Sequence, residues 1–282
     1  MLSVDELNDR LIDLSFAEDI GDGDHTTLCC IPEDAMGKSH LLIKEEGILA
    51  GVEVAREVFR RFDPEMQVEV IMGDGSKVKN GDIAMIVTGR VRSLLQTERL
   101  MLNIMQRMSG IATTTARYQK LLDGLKTKVL DTRKTTPGMR MLEKEAVRIG
   151  GGSNHRIGLF DMILIKDNHI DFAGGIPQAV EAARKYLAEK GKDLKIEVEV
   201  RNTDEIKQAL ALDIDRIMLD NFTPERTLEA VKLIDGRVEV ESSGGITLDT
   251  LRDYGECGVD FISVGALTHS VKGLDMSFKA VK

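Results

Sequence analysis

A chain of 282 residues, 42% of them hydrophobic, can bury the core of one large barrel or of two unequal domains, which excludes a disordered or fibrous protein. The formal net charge of -9 argues against nucleic acid or an anionic membrane as a partner, so basic residues must act locally. The cysteines Cys29, Cys30 and Cys257 show no CxxC spacing, which favours a reducing, cytoplasmic location over a disulfide framework or a zinc site.

The first third of the chain is typical of a small, mostly β unit. After an acidic, helix-like N-terminus that matches neither a secretion signal nor a membrane anchor, residues 38–94 form strand-like pieces separated by Gly-Asp, Asp-Gly and Asn-Gly turns. From Thr97 to Leu125 apolar residues recur at helical intervals. We expect Gly110 to break this stretch into two helices.

The remaining chain alternates apolar strands with helical segments. Asn202 and Thr223, the latter followed by Pro224, have the composition of helix N-caps. This alternation predicts a parallel α/β sheet, and fewer strands are visible than a complete barrel contains, so we expect an open α/β barrel. The strand segments are KVLDTRK, DMILIKD, LKIEVEV, RIMLDN, RVEVESSGG and FISVGA.

Nearly every one of these strands ends in polar residues. In a parallel barrel the carboxyl ends of the strands share one rim, where active sites lie. The early strand ends, with the nearby pair His155 and Arg156, are cationic and suit a compound that carries two carboxylates. The residues at the strand ends are Arg133 with Lys134, Lys166, Glu199, Asp220, Ser242 with Ser243, and Ser263 with Gly265.

The later strand ends favour a phosphorylated sugar. The carboxylates of Glu199 and Asp220 could hold Mg²⁺, receive sugar hydroxyls or stabilise a cationic transition state. Asp220 could also serve only as a turn into the next helix. The glycines of SSGGI and SVGAL expose backbone N–H groups where a barrel binds phosphate.

Two patterns have simpler structural interpretations. Arg140, Lys144 and Arg148 are spaced by four, with glutamates between them, which favours a solvated helix face over ligands. Glu197 and Glu199 alternate with valines, and we expect one to point inward and the other outward. The strand-end position favours Glu199 as the inward residue.

Six motifs, taken together and in order, resemble the quinolinate phosphoribosyltransferase family, the carboxylating nicotinate-nucleotide pyrophosphorylases. The resemblance covers almost the whole chain and rests on residues 97–268. It implies an N-terminal α/β sandwich domain over residues 1–110, completed by 270–282, and an open α/β barrel of the type II phosphoribosyltransferases over 111–269. The motifs are DTRKTTPGMR, GGGSNHRIGLFDMILIKDNHI, EVEV, MLDNF, ESSGGI and ISVGALTHS.

The resemblance also implies an activity. Members of the family join quinolinate to 5-phosphoribosyl 1-diphosphate with Mg²⁺, releasing diphosphate and carbon dioxide and leaving nicotinate mononucleotide for de novo NAD synthesis. The active sites lie at the interface of a homodimer, and Arg99 matches an arginine that reaches the neighbouring subunit's site.

The same resemblance assigns roles to residues of this sequence. It implies that Glu199 and Asp220 bind the metal ion, directly or through water or sugar hydroxyls. The catalytic residues are Lys134, Lys166, Glu199 and Asp220. The substrate-binding residues are Arg99, Arg133, His155, Arg156, Lys166, Ser242, Ser243, Gly244, Ser263, Val264 and Gly265.

Three other interpretations remain open from the sequence. Lys166 at a strand end could form a Schiff base, as in an aldolase. The cationic pocket could also bind an anion without catalysis. A related protein of molybdenum-transport operons shares much of the motif pattern, although LIKDNH is closer to the phosphoribosyltransferase.

Overall fold

A computed structural model describes residues 3–281 of the chain. Its strands are β1 (Met36–Ile43), β2 (Gly47–Ile48), β3 (Gln67–Val70), β4 (Lys77–Val78), β5 (Ile83–Arg90), β6 (Lys128–Leu130), β7 (Ile163–Ile165), β8 (Ile196–Val200), β9 (Arg216–Asp220), β10 (Glu239–Ser243), β11 (Phe261–Ser263) and β12 (Met276–Ala280). Its helices are α1 (Val4–Ile20), α2 (His25–Cys30), α3 (Val52–Phe62), α4 (Val91–Leu121), α5 (Arg140–Ile149), α6 (Asp167–Ala173), α7 (Ile176–Lys190), α8 (Thr203–Leu210), α9 (Pro224–Ile234), α10 (Leu251–Glu256) and α11 (Ala266–His269). None of these helices is both long enough and apolar enough to cross a bilayer.

Spatial contacts divide the described chain into two compact units. The first unit contains the residues up to Ala116, Thr135–Gly151, and the residues from Ala266 onward. The second unit contains Arg117–Lys134 and Gly152–Gly265. The chain therefore enters the second unit twice and returns to the first unit each time.

The first unit is built on a four-stranded antiparallel sheet in the order β12-β1-β5-β3. Alternate residues of β1 are buried, as expected for a strand with one face on the core, and Leu41 and Ile43 are completely enclosed. Strand β12, at the end of the chain, pairs with β1. Met276–Ala280 are thus part of the same sheet as the N-terminal strands β1, β3 and β5.

Gly110 does not break the long helix, so that expectation was wrong. Helix α4 runs without interruption from Val91 to Leu121. A Cβ at position 110 would lie 2.2 Å from the carbonyl oxygen of Lys272. The glycine therefore serves close backbone packing within the first unit, and glycine in a helix interior costs only about 1 kcal/mol.

The cationic stretch on α5 is only partly a solvated face. Arg148 is exposed and ion-paired with Glu145, as expected, but Lys144 is buried. Next to it, the fully buried Glu143 accepts a hydrogen bond from Nε of Arg107 at 2.8 Å. The prediction failed for Lys144 because α5 packs within the first unit, and spacing by four does not say which face of a helix turns inward.

The second unit is a six-stranded, all-parallel sheet in the order β6-β11-β10-β9-β8-β7. Its two edge strands, β6 and β7, follow one another in the chain, so the sheet is a barrel opened between them. Ser153 bridges to Leu130 beside β6. The predicted open α/β barrel is confirmed.

Two helices of the second unit, α8 and α9, begin where the sequence predicts, whereas α10 begins at Leu251 after Thr250 and not at Thr247. Asn202 accepts a hydrogen bond from the N–H of Glu205 at the start of α8, and Thr223 accepts one from Arg226 at the start of α9. Helices α7 to α10 contact one another in chain order. This winding is what keeps neighbouring strands parallel and brings their carboxyl ends to one edge.

Candidate active site

The parallel sheet brings the polar strand ends of the second unit to one edge. All six strands of this sheet pair in parallel, so residues separated by more than a hundred positions follow neighbouring strands. The residues at this edge are Arg133 and Lys134 after β6, Lys166 after β7, Glu199 in β8, Asp220 ending β9, Ser242 and Ser243 ending β10, and Ser263 ending β11.

Lys166 and the two carboxylates lie together at the ends of the neighbouring strands β7, β8 and β9. The Nζ of Lys166 donates a hydrogen bond to Oε2 of Glu199 at 2.9 Å, and Glu199 is buried. Burial raises the pKa of Asp220, and the nearby charge of Glu199 raises it further. Two carboxylates placed so close together favour a positive charge between them.

The turn after β9 contacts the turn after β10, and this turn-to-turn contact holds the carboxylate of Asp220. Asn221 has a left-handed backbone, with φ of 55°, and its Nδ2 donates a hydrogen bond to Oδ2 of Asp220 at 2.7 Å. The N–H of Asn221 donates to the carbonyl oxygen of Ser243 at 2.9 Å. A Cβ on Gly244, where φ is 101°, would lie 2.2 Å from Oδ1 of Asn221. Glycine is required here both for conformation and for space.

The cationic side of the edge contains two neighbouring guanidinium groups. Arg156 is partly buried, and burial lowers its pKa. The positive charge of Arg133 lowers the same pKa further, whereas Glu197 and Asp161 act in the opposite direction. Arg133 is exposed, and a partly buried guanidinium beside it favours an anionic ligand that touches both.

The two turns expected to bind phosphate differ. Ser242 is buried at the end of β10, and the following Gly244 and Gly245 have positive φ angles of 101° and 61°. In the second turn the N–H of Val264 donates to the carbonyl oxygen of Leu130 at 2.9 Å, and its side chain is buried. Val264 therefore has its N–H engaged in the sheet, and a phosphate at this turn would use other groups.

A buried group of charges lies among the same strands. The Nε2 of His155 is 2.9 Å from Oε2 of Glu197 and 3.4 Å from Oε2 of Glu241. Glu241 also contacts Nη1 of Arg216 at 3.2 Å. Glu197 and Glu241 have no solvent exposure, and His155 and Arg216 are each 8% exposed. We call these four residues the buried charge cluster.

The residues of this cluster shift one another's pKa values. Burial lowers the pKa of His155, but Glu197 and Glu241 outweigh that effect and raise it. Burial and the charge of Glu241 raise the pKa of Glu197. The Nδ1 of His155 accepts the N–H of Arg156 at 2.7 Å, which assigns the ring proton to Nε2, the nitrogen that faces the carboxylates of Glu197 and Glu241.

The expectation that Glu197 and Glu199 point in opposite directions was wrong. Both are buried, and both lie on the same face of β8. Side chains alternate along a strand, so residues two apart share a face, and Val198 between them points the other way. Glu239 and Glu241 on β10 follow the same rule, and both contact Arg216.

Of the buried charge cluster, only His155 was predicted from the sequence as a site residue. A usable signal was present, because glutamates recur at every second position in IEVEV and VEVES. A charged row on one face of a buried strand requires charged or polar partners on the neighbouring strands. Only the sheet register identifies them, since it places Arg216 opposite both Glu197 and Glu239.

Arg99 lies in the first unit, on helix α4, and is exposed. It lines a cavity of about 530 Å³ within that unit, together with Arg107 and with the acids Glu18 and Asp19. Arg99 therefore belongs to a different compact unit from the strand-end residues, and its expected place in the neighbouring subunit's site stays a prediction.

Two family models together match nearly the whole chain. The quinolinate phosphoribosyl transferase C-terminal domain matches residues 111–279, and the N-terminal domain of the same enzyme matches residues 24–109. The chain belongs to the quinolinate phosphoribosyltransferase family.

Named relatives and solved structures of this family agree with that assignment. The chain is 46% identical over 287 residues to the chloroplastic carboxylating nicotinate-nucleotide pyrophosphorylase of Arabidopsis thaliana, covering 95% of this chain and 81% of the relative. The nicotinate-nucleotide pyrophosphorylase of Francisella tularensis superposes with a TM-score of 0.93 at 43% identity, covering 100% of this chain and 98% of that one. NadC from Streptococcus pyogenes has a TM-score of 0.93 at 39% identity, covering 100% and 99%.

The turn-to-turn contact predicts an unequal response to two glycine substitutions. Gly244→Ala should lower the free energy of unfolding by more than about 2 kcal/mol, because it adds a steric clash with Asn221 to the cost of a left-handed alanine. Gly236→Ala shares the positive φ but has open space around the added carbon, so it should cost only about 1–2 kcal/mol. Urea denaturation of both variants measures the difference, and equal losses would contradict the contact.

Proposed function

We propose that this chain transfers the phosphoribosyl group of 5-phosphoribosyl 1-diphosphate to quinolinate with decarboxylation. The products are nicotinate mononucleotide, diphosphate and carbon dioxide, in de novo NAD biosynthesis. Membership of the quinolinate phosphoribosyltransferase family supports this function. The observation that carries it is the division of one sheet edge into a guanidinium pair, Arg133 and Arg156, and a carboxylate pair, Glu199 and Asp220.

The guanidinium pair suits the two adjacent carboxylates of quinolinate. A planar guanidinium can bind a carboxylate through two parallel hydrogen bonds, and two such groups side by side match a dicarboxylate. Lys166 and Lys134 add positive charge at neighbouring strand ends. His155 belongs to the same side of the site, since its Nδ1 accepts the backbone N–H of Arg156.

The carboxylate pair suits the sugar and its cation. Glu199 and Asp220 offer oxygen ligands, which Mg²⁺ prefers. Burial, and then the charge of Glu199, raise the pKa of Asp220, and a divalent cation bound between the two carboxylates would favour their charged forms. These residues would hold the ion directly or through water or ribose hydroxyls. Bound there, Mg²⁺ would neutralise charge on the departing diphosphate.

The reaction follows from this arrangement. The bond between C1 of the ribose and the diphosphate oxygen breaks, and the sugar gains oxocarbenium character that Glu199 and Asp220 stabilise. The pyridine nitrogen, held in line by the arginines, forms the new bond to C1. The resulting pyridinium stabilises the electron pair left on C2 when its carboxylate departs as carbon dioxide, and C2 then takes a proton.

The phosphate of the ribosyl donor is assigned to the turns after β10 and β11. Ser242, Ser243 and Gly244 supply one turn, and Ser263 and Gly265 the other. Backbone N–H groups at such turns bind phosphate in α/β barrels. We further propose a cytoplasmic homodimer in which Arg99 reaches the neighbouring subunit's site; the exposure of Arg99 and the three free cysteines are compatible with this.

The environment of Lys166 argues against a Schiff-base aldolase. An amine nucleophile of that kind needs a desolvated pocket. The side chain of Lys166 is 46% exposed and is ion-paired with Glu199. Its geometry fits a residue that holds an anion and a carboxylate in place.

A single assay tests the function. With 5-phosphoribosyl 1-diphosphate and Mg²⁺, the purified chain should convert quinolinate to nicotinate mononucleotide and release one carbon dioxide for each product formed. Nicotinate serves as the control substrate. Turnover of nicotinate in place of quinolinate would assign the chain to non-decarboxylating chemistry, and a borohydride-trapped adduct on Lys166 would support the aldolase.

The two halves of the site should separate kinetically. Arg133→Ala should raise KM for quinolinate by about ten- to a hundredfold, because a charge-assisted hydrogen bond to a carboxylate contributes about 1.5–3 kcal/mol. Asp220→Asn should lower kcat by about a hundredfold or more with a smaller change in that KM, because it removes charge needed mainly in the transition state. Steady-state kinetics against both substrates measures both effects; an unchanged kcat in Asp220→Asn would exclude the assigned role.

Site sharing between subunits can be tested by mixing variants. Arg99→Ala and Lys166→Ala should each be nearly inactive alone. A mixture that exchanges subunits should regain about a quarter of the wild-type activity, because half of the molecules are heterodimers and each of these has one intact site. A mixture that stays inactive, although mass spectrometry shows heterodimers, would place Arg99 outside the partner's site.

A further inference from the structure

Three buried charged residues around His155 have no part in the proposed chemistry. Glu197 and Glu241 are completely buried, and Arg216 is 8% exposed. Burying charges costs several kcal/mol for each ion, and well-packed apolar residues often give equal or greater stability. Stability alone therefore does not account for this group, so its contacts are informative.

The contacts converge on the ring of His155. On one side, Nε2 lies 2.9 Å from Glu197 and 3.4 Å from Glu241. On the other side, Nδ1 accepts the N–H of Arg156 at 2.7 Å. Both ring nitrogens thus face protein atoms. The backbone N–H of His155 is also fixed, since it donates to the fully buried Asp131 at 2.9 Å.

Arg216 holds the acid that lies farther from the ring. Its Nη1 donates a hydrogen bond to Oε2 of Glu241 at 3.2 Å, and its Nη2 donates to Glu239 at 3.0 Å. The guanidinium also lies 4.2 Å above the ring of Phe261. Stacking on Phe261 and the contact with the buried Glu241 fix its orientation, whereas the partly exposed Glu239 contributes less. Glu241 is therefore held between Arg216 and His155.

We propose that Glu197 and Glu241, the latter held by Arg216, are positioning residues that lock the ring of His155 and through it the backbone from which Arg156 extends toward the dicarboxylate. His155 then acts as a support for Arg156 within the binding pocket. This inference rests on the proposed function, since the dicarboxylate is quinolinate. It assigns a role in substrate affinity to residues on β8 and β10, whereas Arg156 lies in the segment between β6 and β7.

The cluster also has the composition of a small metal site. One ligand atom each from His155, Glu197 and Glu241 lie within 4.8 Å of one another. Arg216 argues against a cation there, because its guanidinium already neutralises Glu241 at 3.2 Å. A bound metal is thus the alternative that an experiment must separate from the positioning role.

The test compares two substitutions on the same strand. Glu241→Gln removes charge from the contact with His155, whereas Glu239→Gln removes an equal charge that contacts Arg216 but not His155, and Glu239 is partly exposed. Glu241→Gln should raise KM for quinolinate about tenfold or more, with KM for 5-phosphoribosyl 1-diphosphate and kcat changed less than about threefold. Glu239→Gln should leave all three within about twofold.

A double-mutant cycle shows whether the effect passes through the histidine. His155→Asn should raise KM for quinolinate to a similar extent. The KM of the double variant Glu241→Gln/His155→Asn should exceed the higher of the two single-variant values by no more than about threefold. Additive effects would overturn the proposal. So would equal KM changes in Glu241→Gln and Glu239→Gln, or a loss that affects both substrates alike.

The ring itself gives a readout that does not depend on activity. With labelled histidine, of which the chain has five, the nitrogen resonances of His155 should move in Glu241→Gln and in Glu197→Gln but stay in place in Glu239→Gln. Resonances that do not move would overturn the proposal even if quinolinate is not the substrate. Stoichiometric zinc in the purified protein would also overturn it in favour of a metal site, and Glu197→Gln serves if Glu241→Gln does not fold.

Discussion

Parallel pairing of the six strands of the second unit is the constraint on which the candidate site depends. Residues 133, 166, 199, 220, 242 and 263 are far apart in the chain, and each is near the end of a different strand. The pairing from β6 to β11 brings those ends to one edge. Without that register, the guanidinium pair and the carboxylate pair would have no common ligand.

The register also determines how charge is compensated below the edge. It sets Arg216 between β8 and β10, opposite Glu197 and Glu239, so the glutamates on both neighbouring strands have a cation within reach. Electrostatic interactions are strong in a desolvated interior, and uncompensated charges there are costly. The charged residues therefore form two groups. Lys166, Glu199 and Asp220 lie at the carboxyl ends of the strands, and the buried charge cluster lies further inside the sheet.

Much of the architecture could be predicted from local pattern. The alternation of short apolar strands with helices indicated a parallel sheet, and the N-caps at Asn202 and Thr223 confirmed that helix starts can be read from side-chain chemistry. Gly110 and Lys144 show where that approach fails. In both cases the deciding contact is with a residue distant in sequence: the Lys272 carbonyl approaches Gly110, and the packing of α5 buries Lys144.

The sequence by itself determined which chemical groups stand at the strand ends, because strand ends and turns are encoded by neighbouring residues. It also carried the family resemblance that the comparisons confirmed. Only the tertiary structure decided that Glu197 points inward beside Glu199, that Arg216 joins Glu239 to Glu241, and that the ring of His155 lies between carboxylates and the N–H of Arg156. The physical reason is that period-two alternation fixes which residues share a face, whereas the partner of a buried charge depends on strand register across the sheet.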